Sequence, residues 1–323
     1  MGKVIGIDIS KQTFDVSWKE KASTISMVFP NNQEGIKSFF THVKKDDHCV
    51  MEASGTYFLK LAMFLHNRKI YISVVNPLKI KRYSQMTMSR TKTDKKDAIM
   101  ICAYGQNQKP ERWRPDADYI KEMNNLLTTI EGYEGIAAQL SNRMEAEDQL
   151  DIINKVAEKS KEDVLKCIEQ EILKLMEEIE TIATKNCSET LSRLRTIPGI
   201  GLKTSLVLIA ITGNFEYFDD VRALVAYCGL CPRIYESGTS IKGKGHICKM
   251  GNGRIRKMLY LCAWSAQRYN PGCKELKERL TVKGKPPRVI KIAIANKLLR
   301  TAFGVVKGKT EYKSTVVKES MIM

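Results

Sequence analysis

Lys3-Val4-Ile5-Gly6-Ile7-Asp8 is a short apolar run that ends on a carboxylate, and it reads as a β-strand whose last residue points out of a sheet edge. Cys49-Val50-Met51-Glu52 repeats the pattern. A third acidic site lies in Lys92-Thr93-Asp94-Lys95-Lys96-Asp97-Ala98, just before the apolar stretch Ile99-Met100-Ile101-Cys102-Ala103. The i, i+3 spacing at a helix start puts Asp94 and Asp97 on one face. Each acid alone has a plainer reading. Asp94 can cap its helix with Asp97 as first-turn acid, Asp8 can be a turn residue, and Glu52 can belong to a polar loop. Together, two strands and one helix aim four carboxylates at one point, the ligand type that hard cations such as Mg²⁺ or Mn²⁺ take.

The surrounding pattern supports one α/β domain. Residues 3–9, 13–19 and 22–29 read as consecutive strands, followed by a helix at 33–44, a strand at 48–52, a helix at 57–67 and a strand at 70–75. Three strands followed by alternating helices and strands is the order of a ribonuclease-H-like domain. Asn76-Pro77 breaks the last strand, and Pro110 through Pro115 marks the domain end, which sets the first domain at 1–112.

The four acids are set in a basic chain. Its 323 residues carry 53 Lys and Arg against 36 Asp and Glu, a net charge of +17. Such an excess attracts polyanions, because Lys and Arg displace counterions from phosphate backbones, so nucleic acid is the expected partner. No apolar run approaches membrane-spanning length and the N-terminus leads straight into a strand, so a cytoplasmic, nucleoid-associated protein without membrane contact is expected. Nine cysteines are spread singly, an odd number that fits reduced thiols rather than a disulfide framework. Cys228 and Cys231 have C-x-x-C spacing, but no second pair follows, and Cys248 with His246 makes only a loose ligand set.

From about 117 to 186 the pattern is helical, with Leu165, Ile168, Ile172, Leu175, Ile179 and Ile182 spaced alternately by three and four. This connector, 113–188, reads as a coiled-coil seam for a dimer or tetramer, or as two helices packing within one chain. The third region, 189–323, is expected to be mainly helical. It opens with Ile197-Pro198-Gly199-Ile200-Gly201-Leu202-Lys203-Thr204, the signature of a helix-hairpin-helix. Backbone N–H groups at Gly199 and Gly201, with Lys203 and Thr204, are candidates for holding a phosphate. A nucleotide P-loop is excluded because Leu202 separates Gly201 from Lys203. Ser237, Ser240, Lys242, Lys249, Arg254 and Arg256 then form a candidate phosphate-contacting loop that enters a helix at 252–269. Basic amphipathic helices are expected at 272–281 and 287–307, and a poorly ordered tail after Lys309.

These residues resemble a known family, the DEDD transposases of bacterial insertion sequences, the insertion sequence one-ten family. The likeness rests on Gly6-Ile7-Asp8 with Lys11 and Asp15, Glu52-Ala-Ser-Gly-Thr-Tyr57, Val75-Asn76-Pro77 and Lys92-Thr93-Asp94 with Asp97-Ala98. It continues through Ile197-Pro198-Gly199-Ile200-Gly201 and through Ser237-Gly238, Ser240, Gly245, Ile247, Lys249, Gly251, Asn252 and Arg256. Departures are mild: Cys231 stands where Thr or Ala is more usual, and Lys95-Lys96 links the two helix acids.

The resemblance implies a RuvC-like nuclease domain and a second transposase domain joined by a helical coiled coil. It implies divalent metal on Asp8, Glu52, Asp94 and Asp97, and Ser237 as nucleophile. It also implies donor and target DNA and a structured non-coding bridge RNA as partners. A serine ester of DNA would store the broken bond for rejoining without ATP. Competing readings are a DNA invertase of the same chemistry, a junction nuclease that uses water, and a binding protein whose acids are structural.

Overall fold

A computed structural model describes the chain except residues 1, 22, 54, 88–92, 150–153, 234–235, 238–240, 243–245 and 315–323, and the side chains of 236, 237, 241 and 242. Most of the tail expected to be poorly ordered, and Ser240, therefore lie outside the described residues. The chain forms two compact units, Met1–Pro115 and Asp116–Met323. No helix among the described residues is long and apolar enough to cross a membrane.

The first unit is built on β1 (Val4–Ile9), β2 (Thr13–Glu20), β3 (Ser23–Pro30), β4 (His48–Glu52) and β5 (Tyr71–Val75), arranged in the order β3-β2-β1-β4-β5. The first three strands are antiparallel neighbours joined by short turns, whereas β1, β4 and β5 run parallel. Parallel neighbours need crossovers, supplied by α1 (Gln33–Phe40) and α2 (Leu59–Asn67). This mixed sheet is consistent with the expected RuvC-like domain.

Period two sorts the side chains of the central strands. Ile5, Ile7 and Ile9 of β1 and Cys49 and Met51 of β4 face a core with Phe14, Val16, Phe39, Leu61 and Leu65. Val4 and Val50 face the other side, where they meet Ile101 and Tyr104 of α4 (Asp94–Gln108). Asp8 shares the α4 side with Val4, and Glu52 shares it with Val50. The sequence pattern missed α3 (Pro77–Met86). Asn76 does end β5, but its side chain then accepts a 2.8 Å bond from Leu78 N and Pro77 takes the first helical position, so the strand breaker is also a helix start.

The second unit is helical. α5 (Asp118–Glu147) packs along α6 (Lys155–Arg195), followed by α7 (Leu202–Thr212), α8 (Val221–Tyr227), α9 (Gly253–Tyr269), α10 (Pro271–Val282) and α11 (Pro287–Lys307). α7 is buried from Thr204 through Thr212, as an all-round apolar helix must be. Around it lie Ile120, Met123, Leu127 and Ile130 of α5, Ile179 and Ala183 of α6, Leu259 of α9 and Leu298 of α11. The stripe from Leu165 to Ile182 includes Ile172, Leu175 and Ile182, which pack part-buried against this core. Among the described residues, four two-residue strands interrupt the helices: β6 (Pro232–Arg233) pairs with β9 (His246–Ile247), and β7 (Glu236–Ser237) with β8 (Ile241–Lys242).

Candidate active site

The carboxylates converge because α4 lies directly on β1, and it can do so because residue 6 has no side chain. A Cβ on Gly6 would stand 2.2 Å from both the Ala98 carbonyl oxygen and the Cys102 nitrogen. One helical turn or so further on, Gly105 gives similar clearance over Val50 and Val4, and the Cys102 thiol donates to the Val4 carbonyl at 3.2 Å. The helix start is fixed by Thr93, whose hydroxyl accepts from Lys96 N at 3.3 Å. Thr93 is therefore the cap, and Asp94 and Asp97 follow it on one side of the first turn.

The oxygens of Asp8, Asp94 and Asp97 lie within 4.8 Å of one another. Glu52 is not in this tight group. It follows Met51, the last β4 residue paired with β1, as Asp8 follows that residue's partner Ile7, and its charge acts on Asp8. Burial first, then repulsion from Asp97, Glu52, Asp94 and Asp15, pushes the Asp8 carboxyl up to about 6. Asp15 is a fifth acid that the sequence pattern did not put forward as a ligand. It pairs with Asp8 across the β1–β2 ladder, and burial, then Asp94, raises its carboxyl above the usual range. The signal for it was the short turn at Ser10-Lys11-Gln12, which sets the register that places Asp15 opposite Asp8.

This donor set fits a hard divalent cation. The ligands are all carboxylate oxygens, they are close enough to share one ion, and both penalties on ionised Asp8 are ones that a bound cation relieves.

The expected nucleic-acid contacts of the second unit divide into two groups. Gly201 caps α7 without a side-chain bond, Gly199 holds φ +102° hard against Ala266, and Lys249 is exposed. Others have partners inside the unit. Lys203 is ion-paired with Glu134, and Arg254 with Glu131 while also donating to the Leu127 carbonyl. Arg256 donates to the Cys228 carbonyl at 2.9 Å. Thr204 is buried, with its hydroxyl 3.2 Å from the Cys262 sulfur, so it packs inward instead of facing a phosphate. Ser237 lies on β7 opposite Ile241 of β8, and Lys242 on β8 opposite Glu236. The base of this segment is fastened by Cys248 N to the Cys231 carbonyl at 2.9 Å and Lys249 N to the Gly229 carbonyl at 3.1 Å.

Comparison with known proteins agrees with this layout. An IS110-type DEDD family described as "Transposase" matches residues 5–154, and the "Transposase IS116/IS110/IS902 family" matches residues 191–278. Over 315 residues the chain is 33% identical to the pilin gene-inverting protein of Moraxella bovis, covering 94% of this chain and 95% of that protein. The namesake from Moraxella lacunata gives the same figures. The transposase for insertion sequence element IS1111A of Coxiella burnetii is 36% identical over 101 residues, 30% of this chain and 28% of that protein. Family matches on both units and a relative aligned nearly end to end lead to one conclusion: the chain belongs to the IS110 family of DEDD transposases, metal-using enzymes that cut and rejoin DNA.

Proposed function

We propose that the chain recombines DNA through a covalent serine ester, with Ser237 as nucleophile and Asp8, Glu52, Asp94 and Asp97 as the metal-holding set. The observation that carries this reading is the convergence of Asp8, Asp94 and Asp97 oxygens within 4.8 Å. When bound there, Mg²⁺ or Mn²⁺ supplies a Lewis acid that stabilises charge on phosphate oxygens. The Ser237 Oγ bonds to the scissile phosphorus, the bond to the DNA 3′ oxygen breaks, and the hydroxyl proton passes to that leaving oxygen by way of a carboxylate. Attack by a 3′-hydroxyl on the serine ester reverses the step. One phosphoester is made for each one broken, so no ATP is consumed.

In this reading 1–112 is the RuvC-like nuclease domain, 113–188 a coiled-coil connector and 189–323 the transposase domain with its helix-hairpin-helix at Gly199–Thr204. Gly199, Gly201, Lys203, Ser240, Lys242, Lys249, Arg254 and Arg256 serve the DNA backbone, with Lys203, Arg254 and Arg256 exchanging their present partners for phosphates. Target choice is delegated to a structured bridge RNA that pairs with donor and target DNA. Asp8 and Ser237 belong to different units, and the site either is completed within one copy or is shared between copies of a dimer or tetramer; sharing has a direct test. Mixing Asp8→Ala protein with Ser237→Ala protein restores activity if the site is shared, and no rescue in any mixture counts against sharing.

The decisive experiment incubates the protein with element-end DNA, the RNA transcribed from the element and Mg²⁺, then maps the covalent adduct. An adduct on Ser237 that vanishes in Ser237→Ala, together with cleavage, supports the proposal. Cleavage that persists in Ser237→Ala without any adduct supports a water-using junction nuclease instead. One observation favours a second outcome of the same chemistry, inversion: the Moraxella relatives named as gene-inverting proteins align over 94% of this chain, the IS1111A transposase over 30%. A plasmid with two inverted recombination sites distinguishes the two, by flipping the intervening segment or by losing it.

A further inference from the structure

The second unit has a face that the chemistry above does not use. From Ser237 through Lys274 the chain carries eight Lys and Arg and no Asp or Glu. Neither α9 nor α11 contains an acid. On α9, Lys257, Tyr260, Leu261, Trp264 and Arg268 recur at spacings of three and four, which places them on one side of the helix. The opposite side, with Ile255, Leu259, Ala263 and Ala266, is buried in the core. Leu261 is 54% and Trp264 47% exposed, and Lys257 and Arg268 are exposed at the two ends of the stripe. α11 packs beside α9 and brings the Lys291 ammonium to 3.1 Å from the Trp264 ring centroid and 6.0 Å from that of Tyr260.

Single exposed apolar residues need no explanation, but a contiguous indole, phenol and leucine ringed by cations does. Duplex DNA offers phosphates, yet its base faces are already stacked on each other. An unpaired strand offers open base faces and phosphates together, which is the combination this surface complements. Cutting DNA frees such strands. Lys291 also holds the indole in one orientation, which lowers the ordering cost of binding. Glu131, an acid close enough to Lys257 to feel its charge, is ion-paired with Arg254.

We propose that the α9–α11 face centred on Trp264 seats an unpaired DNA strand, one base stacked on the side of the indole that Lys291 does not cover, with Lys257 and Arg268 on the neighbouring phosphates. The inference rests on the DNA substrate and not on the Ser237 step, so either can fail without the other.

The test titrates full-length protein, in chelator to prevent cleavage, with oligodeoxythymidylate of about 12 nucleotides, the length one aromatic-lined groove covers. Indole emission and anisotropy of a labelled strand are read together. Trp264→Ala is expected to weaken binding about tenfold and Trp264→Phe to hold it within about twofold, since one stacked base is at stake. Duplex DNA of the same length should bind both variants like the wild type. Equal losses on duplex and single strand, or no loss on either, overturn the proposal. So does a loss confined to oligouridylate, which would make this an RNA surface, or a drop in molar mass by light scattering, which would make it a contact between copies. Unchanged thermal melting of Trp264→Phe keeps the comparison free of folding defects.

Discussion

Replacing Gly6 by Ala tests how the carboxylates are brought together. The added methyl would sit 2.2 Å from the Ala98 carbonyl oxygen and the Cys102 nitrogen, both backbone atoms of α4 that no rotamer change can move. α4 must therefore retreat from β1 by about 1 Å before ordinary contact is restored. Overpacking of this kind costs about 1–3 kcal/mol, which lowers the melting temperature of a unit this size by roughly 5–15 °C. The functional cost is larger, because a reacting constellation displaced by about 1 Å loses on the order of 100-fold in rate. Gly105→Ala is the internal control. Its methyl would meet the Val50 and Val4 side-chain ends at 2.6 and 2.8 Å, atoms that can turn aside, so it should be milder on both counts. Metal-dependent strand cleavage is assayed beside thermal melting, and the Asp8 carboxyl is followed by NMR in metal-free protein. Withdrawal of Asp94 and Asp97 should let the Asp8 carboxyl fall back from about 6 toward 3.8. A Gly6→Ala protein that melts and cleaves like the wild type would refute the reasoning.

Four more expectations follow from the same geometry. Asp8 binds its proton more tightly in the folded chain than in the unfolded one, so without metal its favourable contribution is complete below about pH 3.8 and is lost as pH rises through about 6. Asp8→Asn should accordingly melt higher than metal-free wild type at pH 7, by the equivalent of ~2 kcal/mol after solvent screening, while losing all metal-dependent cleavage; a lower melting point would contradict the cost that burial and repulsion place on ionised Asp8. Adding Mg²⁺ to metal-free wild type should raise its melting temperature and leave Asp8→Asn nearly unmoved, as read by calorimetry. Gly199→Ala forces a side chain into φ +102° and to 2.6 Å from the Ala266 Cβ, so denaturant unfolding should show a loss of about 2 kcal/mol or more. Asn76→Ala removes the cap of α3 and should cost about 1 kcal/mol, with faster amide exchange confined to that helix.

The carboxylate centre was legible because two strands end on acids and a helix begins with two, and both periods are local. Asp8 and Glu52 share a side with Val4 and Val50 by simple alternation. Gly6 was visible as a letter but not as a clearance, because the helix that needs the space begins almost ninety residues later in the chain. Asp15 stands among the residues of the family likeness, but its place beside Asp8 is not legible in the sequence because it depends on the β1–β2 register. By sequence the cations of the second unit look free for phosphate, yet Lys203 meets Glu134 and Arg254 meets Glu131. Both acids lie on α5, far away in sequence, and only the packing of α5 beside α7 and α9 brings them near. α3 is hidden for a different reason: Asn76-Pro77 signals a strand end and a helix start equally well, and the local pattern does not separate the two.

The arm formed by α5 and α6 has no core of its own. Past Ile130 on α5 and before Ile179 on α6 no described residue is buried, although Lys161 and Glu147 pair across the two helices. Some 24 residues of α6, roughly 36 Å, thus extend beyond the last buried side chain. In dilute solution those backbone amides should trade hydrogen for deuterium through local fraying, at a rate indifferent to low urea. Within an assembly that clasps the arm they should be shielded until the whole body melts. Exchange along this one hairpin is therefore a native gauge of association that needs no label.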